Sequence, residues 1–187
     1  MSILSTASLE VPFSLVDAAI ALFSDRASEK ERKQRVNILL RKLYAETRAN
    51  LDILDLVKTE NLKDDWLKSV KAVAPLLKNE AASLVLLGTD DCFREIKLIQ
   101  EDINDVWKVN SDDDGTDSDD YRAPENFKQA VAFCTNKINV LKSYASINES
   151  DKELFKRLIP SRRIANIHNY LLVIKKALQY YLGNHSK

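Results

Sequence analysis

Apolar residues recur every three or four positions along most of the chain, without the short apolar/polar alternations between glycine-rich turns that mark strands. The chain therefore reads as all-α, an up-and-down helical bundle. Its long helices fall at about 28–59, 90–109, 124–147 and 162–182, with shorter connecting helices between them. Ser28 followed by Glu31 has the spacing of a capping box, which starts the first long helix. Its stripe is Val36, Leu39, Leu40, Leu43, Leu51, Leu54 and Val57. Short helices are expected at about 12–23, 62–73, 75–87 and 151–158, with Pro75 in a first turn and Gly88 as a C-cap. Phe93, Ile96, Ile99, Ile103, Val106 and Trp107 mark the helix at 90–109, and Phe127, Val131, Cys134, Ile138 and Leu141 the next. Pro160 and Ser161 introduce the last helix, and Gly183 is expected to end it.

One stretch breaks the pattern. From Ser111 to Asp120 six of ten residues are Asp, so the segment has nothing to bury. Residues 1–187 then form a single all-helical domain whose halves are joined by an acidic flexible linker at 111–123. At 187 residues and 45% hydrophobic content, such a domain has its own core and needs neither metal nor disulfides. Charge changes little in this picture. Twenty-eight basic residues balance twenty-eight acidic ones, so no overall field attracts nucleic acid or an anionic membrane. Locally, 26–48 and 149–187 each hold eight basic and three acidic residues, and 90–120 holds twelve acidic and three basic, an asymmetry suited to complementary faces within a bundle or a dimer.

The three glycines, Gly88, Gly115 and Gly183, stand too far apart for a dinucleotide fingerprint or a phosphate loop. Cys92 and Cys134 lie in apolar helical patterns with no C-x-x-C pair, which suits structural thiols in a reducing cytoplasm. The first 24 residues lack a basic n-region and carry Glu10 and Asp17, unlike a signal peptide. The longest uncharged run, Ile164–Ile174, spans eleven residues and is too short to cross a membrane. Asn110, Asp112, Asp114 and Gly115 imitate an EF-hand loop, but Tyr121 stands where the bidentate carboxylate belongs, and Asp117 where an apolar anchor belongs. Neither His168 nor His185 has the glutamate neighbours of a zinc hydrolase or di-iron bundle. No metal and no cofactor is expected.

One constellation survives, at the start of the last helix. Arg163 falls in a first turn, where free N–H groups and the helix dipole favour an anion and a guanidinium adds paired phosphate donors. His168 titrates near neutral pH and suits general acid or base work on a ribose 2′-hydroxyl or a leaving oxygen. Five residues turn about 140° around a helix, so the two do not stack on one face. A composite site needs the arginine to reach round, or a two-fold dimer to bring two motifs together. Tyr170, seven residues after Arg163, lies on its side. On the first long helix Thr47 and Asn50 interrupt the apolar stripe and Glu46 edges it, giving one polar turn that faces the core.

Arg163, His168 and Tyr170 have the spacing R-x4-H-x-Y, and here the sequence resembles a subgroup of the HEPN superfamily, all-α bundles with this motif near the start of a C-terminal helix. Ile164 departs from the polar residue that many members carry after the arginine. The resemblance implies a metal-independent endoribonuclease of toxin or phage-defence type, or a silent relative, acting as a homodimer on RNA. In it His168 is the acid or base, Arg163 stabilises the pentacoordinate phosphate, and Glu46 with Asn50 orients them. It further implies Tyr170 as a nucleotide-modification site in a toxin paired with an antitoxin. A different class stays open beside it, a non-catalytic all-α module that binds a protein partner, in which Glu46 and Asn50 form a self-satisfied polar layer fixing helix register.

Overall fold

A computed structural model describes residues 28–59, 66–89, 92–111, 123–147 and 160–184. The helices expected at 12–23 and 151–158, His185, and all but the ends of the linker at 111–123 lie outside these residues. Those described contain six α-helices and a short 3-10 turn, with no strand, so the chain is an all-α helical bundle. In chain order these are α1 (Glu29–Thr59), α2 (Trp66–Val73), the 3-10 turn Ala74–Leu76, α3 (Glu80–Leu87), α4 (Gln100–Ser111), α5 (Phe127–Tyr144) and α6 (Pro160–Asn184).

The first helix begins where its capping box places it. Glu31 N–H donates to Ser28 Oγ at 3.3 Å, and Ser28 N–H donates to Glu31 Oε2 at 2.9 Å, so each residue satisfies the other's backbone. Two bonds donated by Ser28 to the Glu31 carboxylate, first from its backbone N–H and then from its hydroxyl at 3.0 Å, hold that carboxyl below the usual carboxylate range. A lowered carboxyl favours the folded cap at any pH above the ordinary carboxylate range, and that contribution disappears as pH falls through the lowered value. Glu31 is therefore expected to titrate below a free glutamate in a carbon-13 carboxyl titration, with the first turn of α1 fraying over the same interval.

The core follows the predicted stripe. Val36, Leu39, Leu40, Leu43, Leu51 and Leu54 of α1 are all buried against α6, and Phe127, Val131, Cys134, Ile138 and Leu141 of α5 close the other side. Tyr44 and Asp55 of α1 meet Gln179 and His168 of α6, so the two helices run antiparallel. Phe133 and Tyr144 of α5 meet Tyr170 and Arg163, which makes α5 antiparallel to α6 as well. The last helix is the central one, covered by α1, α5 and α4 and touched by α2. That position explains why Ile164, Ile167, Tyr170, Leu171, Val173, Ile174, Ala177 and Leu178 are buried on more than one face of it.

Several boundaries differ from the sequence expectation. The segment expected as one helix over 75–87 is a 3-10 turn, an extended stretch with Leu77 at ψ 131°, and only then α3. Tertiary bonds from α1, described below, hold the backbone at residue 78 out of helix. The helix expected from 90 starts at Gln100, because Phe93 and Ile96 reach the core through a turn closed by Ile96 N–H to Phe93 C=O, 3.0 Å. Their three-residue spacing imitates a helix. Gly183 lies inside α6, which continues to Asn184. The helix expected over 124–147 is shorter, Phe127–Tyr144, because the Asn126 side chain accepts from Gln129 N–H and so caps it three residues after Pro124.

Candidate functional site

The last helix positions the candidate motif along its first three turns. Arg163, in the first turn, turns towards α5, with its guanidinium carbon 5.4 Å from the centroid of the Tyr144 ring. His168, one and a half turns on, turns towards α1, and its Nε2 lies 3.1 Å from Asp55 Oδ1. The separation of about 140° is realised as two flanks of one helix, each with a different neighbour. The imidazole is mostly covered, at 13% side-chain exposure, while Asp55 keeps 57%, so the pair lies at the rim of the α1–α6 seam and not in the core.

Two asparagines of the same stretch face inward. Asn166 and Asn169 are buried, and Asn166 Nδ2 has no hydrogen-bond partner among the described residues. Tyr170 is 2% exposed and packs edge-on against Phe133, with ring centroids 5.7 Å apart. Modification at Tyr170 therefore requires the α5–α6 seam to open.

Glu46 and Asn50 have definite partners of their own. Ala81 N–H and Ala82 N–H donate to the two Glu46 oxygens at 2.9 and 3.1 Å, so a carboxylate from α1 caps the start of α3, where Asn79 makes no side-chain cap. Asn50 donates from Nδ2 to the Lys78 carbonyl at 2.7 Å and accepts from Lys78 N–H at 2.8 Å, matching both backbone groups of one residue. Glu46 and Asn50 thus each bond the 78–82 backbone from α1, a tertiary capping that sequence spacing did not disclose. Beside them Thr47, Cys134 and Thr135 line a void with room for about one water, and Thr135 Oγ1 is buried without a partner among the described residues. Burial first, and the Glu46 carboxylate second, push the Cys134 thiol well above its usual range, so it is an inert structural thiol.

Asp55 is the residue that sequence reasoning missed. Its only local signal is a carboxylate following Leu54 at the edge of the α1 stripe; its partnership depends on the register of α1 against α6. Among the described residues no three His, Cys, Asp or Glu side chains come together to hold a metal ion, and no helix is long and apolar enough to cross a membrane. Comparison of the chain with protein-family models, with curated proteins and with solved structures gave no match.

Proposed function

We propose that this protein is a metal-independent endoribonuclease of HEPN-like type that works from the N-terminal half of α6. The observation that carries the reading is the rim position of His168, paired through Nε2 with Asp55 at 3.1 Å where a buried core histidine would be sealed from substrate. In this reading the neutral imidazole takes the proton of a ribose 2′-hydroxyl. The 2′-oxygen then forms a bond to the adjacent phosphorus as the bond to the 5′-oxygen breaks, leaving a 2′,3′-cyclic phosphate and, after protonation, a 5′-hydroxyl. Arg163 leaves the Tyr144 ring to grip the pentacoordinate phosphate. A two-fold pairing of chains, part of the same proposal, brings a second Arg163 and His168 to the groove and accounts for two side chains that lean to different flanks of one helix.

The bonding of Glu46 and Asn50 into the 78–82 backbone favours the second reading, a non-catalytic bundle that binds a protein partner, because it removes two groups from the chemistry. A mixed fluorescent RNA pool incubated with purified protein in excess EDTA separates the two. The nuclease reading predicts cleavage that His168→Ala and Arg163→Ala each reduce at least about 100-fold while circular dichroism stays unchanged. Absence of cleavage by the unaltered protein would support the binding module.

A further inference from the structure

The Asp55–His168 pair is a poor device for stability. At 57% exposure the carboxylate is solvated, and ion pairs of that kind contribute little to stability. It is well built for orientation. Asp55 follows Leu54, which is fully buried, and His168 follows Ile167, also fully buried, so core packing fixes both backbones and leaves the side chains little freedom of approach. A solvated carboxylate at neutral pH accepts hydrogen bonds and donates none. The ring nitrogen 3.1 Å away must then be the donor, and a neutral imidazole whose Nε2 carries the proton has its lone pair on Nδ1.

We infer that Asp55 is the positioning residue for His168. It holds the ring through Nε2–H and so makes Nδ1 the nitrogen that takes the substrate's proton. The second half of this statement rests on the nuclease reading; the first half does not. Holding one tautomer matters because an imidazole that presents N–H to a 2′-hydroxyl cannot act as its base.

Two readouts on the full chain test it. In long-range proton–nitrogen spectra of nitrogen-15-labelled protein at a pH where the ring is neutral, with His185→Gln used for assignment, His168 is expected to show the Nε2–H form alone. In Asp55→Ala the Nδ1–H form is expected to appear beside it, and Asp55→Glu is expected to restore the single form in part. On RNA, Asp55→Ala is expected to lower kcat about 10- to 100-fold with KM unchanged. An unchanged His168 spectrum in Asp55→Ala would overturn the positioning role, and so would an unchanged kcat. If the unaltered protein cleaves no RNA, the assignment of Nδ1 as base falls with the nuclease reading, while the spectra still decide whether Asp55 holds the ring.

Discussion

Tyr170→Ala is expected to lower stability by about 4 kcal/mol, the largest effect of any single substitution in the motif. The ring is 2% exposed on the central helix and sits edge-on to Phe133 at 5.7 Å, so truncation removes both buried area and an aromatic pair from the α5–α6 seam. Ile167, Leu171 and Ile174 are packed on the same helix and cannot all move to fill the space. A urea melt is the appropriate measurement, with the midpoint falling and the slope unchanged. A loss below about 1 kcal/mol would mean that the seam is loosely packed, and that Tyr170 is reachable without opening it.

Asn50→Ala is expected to cost about 3 kcal/mol, although the side chain is small and polar. It removes two short bonds, 2.7 and 2.8 Å, that satisfy both backbone groups of Lys78, and it enlarges a void already lined by Thr47 and Thr135. Asn50→Asp is the sharper comparison. A carboxylate still accepts from Lys78 N–H but cannot donate to the Lys78 carbonyl, so it sets two acceptors against each other in a site 1% exposed. It is expected to cost at least as much as alanine in the same urea melt, whereas a residue that only served substrate would tolerate either change without loss of stability.

What the chain discloses about itself depends on whether the interaction is local. The Ser28–Glu31 box lies within one turn and forms as expected, and the apolar stripe of α1 is buried at each position from Val36 to Leu54, Val57 lying outside the residues whose side chains are described. The polar interruption was legible too, since Thr47 and Asn50 fall inside the stripe and are each 1% exposed. The partners of that interruption were not legible. Asn50 bonds a backbone 28 residues away and Glu46 one 35 residues away, and those bonds determine that α3 starts at Glu80 and not near Pro75. The turn carrying Phe93 and Ile96 was misread for a related reason, because two buried residues three apart satisfy a helix and a single turn equally well. In the candidate site, the divergence of Arg163 from His168 followed from helix geometry alone, whereas Asp55 lies 113 residues from its partner and required the register of two antiparallel helices.

In the proposed nuclease reading His168 and Arg163 serve the chemistry, while Glu46 and Asn50 hold the 78–82 segment. The most direct test is the RNA cleavage rate per folded molecule, measured in EDTA for His168→Ala beside Asn50→Ala at a temperature where both are folded. The prediction is a rate at least about 100-fold down for His168→Ala with its urea midpoint nearly unchanged, and a rate within about threefold of the unaltered protein for Asn50→Ala despite its lowered midpoint. Equal loss of cleavage in both, or undiminished cleavage in His168→Ala, would contradict that division.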